Sequence, residues 1–82
     1  MKKSFNKNSF ITYINEIKQF TELDHKNNIN NIINESINYK DLIHLIQEKY
    51  GKGTNWAKQL IIIWIDKEYI NKNKSNRYEK RY

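Results

Sequence analysis

The chain has 82 residues, 38% of them hydrophobic, with no cysteine, no proline and a formal net charge of +6. This length suits one small domain and leaves little room for a deep pocket. Without cysteine there is neither a disulfide framework nor a thiolate metal site, so a reducing, cytoplasmic setting is expected. The charge is uneven: residues 1–9 carry +3, residues 71–82 carry +4, and the 61 residues between them balance at −1. A basic N-terminal arm over 1–8 and a basic, flexible tail over 72–82 are therefore expected to flank a neutral body over 9–71.

Lys2 and Lys3 are not followed by the apolar stretch of a secretion signal. The longest apolar run, Leu60 to Ile65, is far short of the ~20 residues of a membrane span. A membrane role is not expected.

In chain order, Ser9 can cap a helix over 9–20 whose Phe10, Tyr13, Ile14, Ile17 and Phe20 share one face; Ser4 would start it a turn earlier and bury Phe5. Thr21-Glu22-Leu23-Asp24 reads as a break and a cap, followed by a second stripe of Ile29, Ile32, Ile33 and Ile37. The asparagines among these have mediocre helix propensity, so this helix relies on packing for its order.

Asn38 and Asp41 resemble a capping box ahead of a third helix over 39–50, with Tyr39, Leu42, Ile43, Ile46 and Tyr50 on its apolar face. Gly51 is placed to close that helix in a left-handed conformation. Thr54 or Asn55 caps a fourth helix over 55–71. Its centre is apolar on every side and is expected to be the buried axis of the bundle. A strand over Ile61 to Ile65 fits the β-branched run but has no partner strand, and its flanks favour helix. The expected fold is an all-α, compact four-helix bundle.

Gly51-Lys52-Gly53-Thr54 lacks the spacing and preceding strand of a phosphate-binding loop, which excludes nucleotide hydrolysis of that kind. The turn ahead of the fourth helix, with Lys52 and Lys58, keeps a weaker capacity to hold a phosphate oxygen beside its plain reading as a pair of helix caps. His44 with Glu48 one turn on has no second ligand at metal spacing, and His25 stands alone. No nucleophile is paired with a base. Neither catalysis, a metal nor a cofactor is expected.

The glycine turn between two helices is no DNA-reading motif, because its second helix is too apolar to offer polar groups to base edges. Lys72, Lys74, Arg77, Tyr78, Lys80, Arg81 and Tyr82 instead interleave cations with rings, a pattern suited to phosphates and unpaired bases as well as to plain solubility. Trp56, at the polar start of its helix, and Tyr82 are the residues expected at a protein interface.

Ser9-Phe10 with Tyr13-Ile14, Tyr39-Lys40-Asp41-Leu42 with Ile46, and Ala57 with Ile63-Trp64 and Tyr69 resemble the small bacterial YozE family over about residues 9–70. That family's Gly-Asp-Leu-Ala segment and its Phe-Pro are absent, and Trp64 to Tyr69 is longer than its spacing. The resemblance implies a sterile-alpha-motif-like bundle and brings no activity with it.

Two functions follow as expectations: a nucleic-acid-associated domain held by its basic tails, or a protein-binding module, such as a small phage or mobile-element inhibitor of a host or CRISPR-Cas defence protein. Pairing of two copies is compatible with either.

Overall fold

The computed structural model describes residues 7–82, with side chains from Phe10 onward. The basic arm before Lys7, and the Ser4 start with Phe5, lie outside the described residues. Four helices, with one short strand between the second and third, precede the two strands that complete a sheet: α1 Lys7–Lys18, α2 Glu22–Ile32, β1 Ile37–Asn38, α3 Tyr39–Tyr50, α4 Thr54–Asp66, β2 Ile70–Lys72 and β3 Arg77–Lys80. The protein is compact and mostly helical, but not all-α. Its three strands form an antiparallel sheet in the order β1-β3-β2.

The helix ends show where local sequence decided the fold. Thr21 and Asp24 form a reciprocal capping box at the start of α2, each backbone N–H donating to the other's side chain at 3.0 Å. Asn38 accepts from the Asp41 N–H at 2.8 Å and starts α3. Gly51 ends α3 at φ 67°, its N–H donating to the Gln47 carbonyl at 2.8 Å.

Other ends depart from expectation. Ser9 lies inside α1 rather than capping it. Gly53 is the N-cap of α4, and the Thr54 hydroxyl instead accepts from the Gln47 amide at 3.1 Å, tying the end of α3 to the start of α4. The second apolar stripe is split: α2 stops at Ile32, so Ile33 is buried from the loop and Ile37 from β1.

The expected extension of the fourth helix to residue 71 is cut at Asp66. There the Glu68 N–H donates to the Ile65 carbonyl at 3.0 Å and the Tyr69 N–H to the Trp64 carbonyl at 2.9 Å, with Glu68 left-handed at φ 63°. This is a Schellman closure with glutamate where glycine is usual. It turns the chain so that Ile70, 1% exposed, re-enters the core.

The expected flexible tail is the largest correction. Asn73 folds the chain back through its own side chain, which accepts the N–H groups of Ser75 and Arg77 at 2.8 and 3.0 Å, and Asn76 takes the left-handed position at φ 61°. This reversal pairs Ile70 with Lys80 and Lys72 with Tyr78, while the other edge of β3 pairs Tyr78 with Ile37. Tyr78 thus enters the core at 7% exposure.

The core beneath is built on one side of α4. Leu60, Ile61 and Trp64 are at most 2% exposed and pack with Ile17, Ile29, Leu42 and Ile46 from the other three helices. α4 is a helix throughout its apolar run, as expected. It is not, however, buried all round: Ile62 is 57% exposed and Ile65 41%.

Candidate functional site: an apolar groove beside a basic hairpin

Residues three or four apart on a helix share a face, so Lys58, Ile62 and Ile65 form one exposed line along α4. The three other helices cover only one side of α4, and the sheet covers the next sector without reaching that line. Between the two lies a shallow groove of about 430 Å³ walled by Tyr39, Ile61, Ile62 and Ile65 on the helical side and by Lys72, Asn76 and Tyr78 on the hairpin. Tyr39, 39% exposed, leans on Tyr78 with ring centroids 5.8 Å apart, which fixes its ring at the groove edge. No acidic side chain lines the groove among the described residues.

The hairpin gives the groove its charge. Lys72 lines it and Lys74 stands exposed at the turn. Arg77 is held in place by Ser36, its Nε donating to the hydroxyl at 2.8 Å and its Nη2 to the carbonyl at 3.0 Å. A guanidinium bound only to neutral oxygens keeps its full charge available to a partner.

Several residues expected to act together are separated by the fold. Lys80 and Tyr82 pack over α2: Lys80 donates to Asn30 at 3.0 Å, and the Tyr82 hydroxyl donates to the Lys26 carbonyl at 2.9 Å. Lys26 and Lys80 lie 5.1 and 6.0 Å from the Tyr82 ring centroid. Arg81 approaches Glu68 at 3.9 Å. These groups dock the C-terminal segment on the body.

Tyr78 is buried and cannot stack on a free base as expected. Trp56 is likewise corrected from an interface residue to a core residue: it is 3% exposed, and its indole N–H donates to Glu16 at 2.8 Å. Tyr82 remains 49% exposed, away from the groove.

At the glycine turn Lys52 pairs with Glu16 at 3.3 Å. That carboxylate opposes an anion beside the start of α4, and Lys58 is not among the residues that line the cavity at this turn. His44 and Glu48 face solvent at 3.2 Å, and no group of three or more metal-ligating side chains occurs among the described residues.

Ile62, Ile65 and Tyr39 were missed as site residues because each carries an ordinary core side chain. The usable signal was that α4 is apolar on more sides than three other short helices can cover. Comparison with family models, curated proteins and solved structures returned no match.

Proposed function

We propose that this chain is a non-enzymatic binding module whose working surface is the groove between α4 and the hairpin, and that its partner is an acidic, amphipathic protein segment. The observation that carries this reading is the exposed Ile62 and Ile65 beside Tyr39 on one groove. Contiguous exposed apolar surface rimmed by polar groups marks interaction sites, because it is costly to leave in water. Lys58, Lys72, Lys74 and Arg77 around that surface select carboxylates on the partner. For the helices alone, we propose a sterile-alpha-motif-like arrangement akin to the YozE family, supported by the Ser9-Phe10, Tyr39-Lys40-Asp41-Leu42 and Ile63-Trp64 matches.

The test is fluorescence anisotropy with labelled helical peptides bearing Leu and Phe one turn apart on an acidic background, against the same peptides with Lys replacing Glu. Ile62→Ser should weaken binding of the acidic peptides by about tenfold or more while leaving the fold intact. Equal binding by wild type and variant, or equal binding of both peptide sets, would overturn the reading. Sedimentation of the free chain identifies a second copy as the occupant if a dimer forms and Ile62→Ser dissolves it.

A nucleic-acid partner is the second reading, favoured by Lys72, Lys74 and Arg77 gathered on one hairpin next to an exposed Tyr39 ring. Removal of residues 72–82 cannot test it, because that segment includes a strand of the fold. Lys72→Glu with Lys74→Glu can. Binding of a single-stranded oligonucleotide that falls steeply with salt, is lost in the double variant and is indifferent to Ile62→Ser would favour this reading over the first.

A further inference from the structure

We propose that a second site, on a different face of α4, takes a planar nitrogen heterocycle of nucleobase size through the amide of Gln59. The cavity there holds about 510 Å³, within the range typical of small-ligand sites. Gln59 lines it at 7% exposure, yet its amide has no hydrogen-bond partner among the described residues, and neither of its polar atoms is sealed from solvent. Solvent reaches this amide, so something that fills the cavity must replace the hydrogen bonds that water can give it.

The walls define what that something is. Ile14 and Ile63 present aliphatic surface, and Phe20, His25 and Tyr69 present rings, the His25 centroid lying 5.8 Å from Phe20 and 6.0 Å from Tyr69. An aliphatic chain would fit these walls but leave the amide unpaired. A compact ion would pair with the amide but lose its hydration to the apolar surface. A flat heterocycle satisfies both demands: its faces meet aliphatic and aromatic surface, and a ring nitrogen beside an amino or N–H group matches the adjacent donor and acceptor of Gln59.

The mouth accommodates a polar substituent. Lys18 and Lys67 line it without an ion-pair partner among the described residues, while the nearby Glu22 carboxylate is engaged by Lys26 at 2.8 Å. Asp66, also at the mouth, limits the preference for an anion. A nucleoside is therefore favoured at least as well as its phosphate.

The experiment is a 15N and 1H NMR titration of the full chain with adenosine, guanosine, cytidine, adenosine monophosphate and a single-stranded pentanucleotide, with benzene as a probe that lacks the pairing edge. A nucleoside should shift the Gln59 side-chain amide signals saturably, and Gln59→Leu should weaken that binding about tenfold while benzene binding is unchanged. Gln59→Glu, which replaces the amide donor, should give a similar loss and serves if the leucine variant does not fold.

Shifts of Gln59 by the pentanucleotide alone would keep the heterocycle and assign it to a strand instead of a free nucleoside. Gln59 signals unmoved by every base-containing probe at millimolar concentration, or Gln59→Leu binding them like wild type, would overturn the proposal.

Discussion

His25 is 6% exposed between α2 and α4, where its Nδ1 accepts the Trp64 indole N–H at 3.1 Å. That bond needs a neutral ring with its proton on Nε2. Burial lowers the His25 pKa below its usual 6.5, with Lys67 adding to the effect and Asp24 and the Ile17 carbonyl opposing it. The unfolded chain therefore takes up the proton before the folded one does. Stability is fully present above about pH 6.5 and is lost as the pH falls toward the lower folded-state value. Urea midpoints should drop between about pH 7.5 and about pH 5.5, and His25→Gln, which can still accept from Trp64, should flatten that drop. An equal slope in the variant would remove His25 as the cause. Trp56 yields a second residue-scale expectation. Its burial predicts that Trp56→Ala costs about 3–5 kcal/mol, whereas Trp56→Phe keeps most of the ring and forfeits chiefly the bond to Glu16, about 1 kcal/mol. Denaturant melts of the two variants check this order; an interface role without burial would leave both near wild type.

Among the elements, α3 was the most legible. Its bounds of 39 and 50 follow from Asn38, Gly51 and the clearest apolar stripe in the chain, all of them local signals. The hairpin was not legible, for a physical reason: β3 is Arg-Tyr-Glu-Lys, with one apolar side chain, and it is held by pairing with Ile37, 41 residues upstream of Tyr78. Its reversal uses Asn73 and Asn76 with no glycine, so the usual punctuation is missing. The same non-locality hid the groove, since Ile62 and Leu60 are alike as residues and differ only in what lies against them. The two helix closures give opposite predictions. Gly51, at φ 67° with open space around a would-be side chain, should lose about 1 kcal/mol on Gly51→Ala through backbone conformation alone. Glu68 occupies the equivalent left-handed position without glycine's freedom, so Glu68→Gly should stabilise by roughly 0.5–1 kcal/mol. Its pair with Arg81, at 3.9 Å and largely exposed, offsets little of that. Thermal melts of both variants decide the matter, and a destabilised Glu68→Gly would mean the Schellman closure does not form as described.

For the whole molecule, the question is whether the basic C-terminal segment strains or supports the fold. It carries +4 of the chain's net +6 in residues 71–82, and like charges on a small body repel. Most of these groups are exposed and screened by salt, however, so their removal relieves on the order of 1 kcal/mol or less. Against that stands the burial of Tyr78 and the cover it gives Ile37 and Ile70, all at most 8% exposed. A buried side chain of this size contributes about 1.5–3 kcal/mol, and uncovering its neighbours adds to the loss. Packing wins, and in a domain whose total stability is about 4–12 kcal/mol the difference is large. A chain ending at Lys72 should therefore melt at clearly lower urea than the full chain, and raising salt to about 0.5 M should not restore it, because the deficit is apolar burial rather than charge. Lys72→Glu with Lys74→Glu removes positive charge without touching the core and should stay within about 0.5 kcal/mol of wild type. A truncated chain as stable as the full one would detach β3 from the fold, return residues 73–82 to a solvated tail, and open the hairpin wall of the groove.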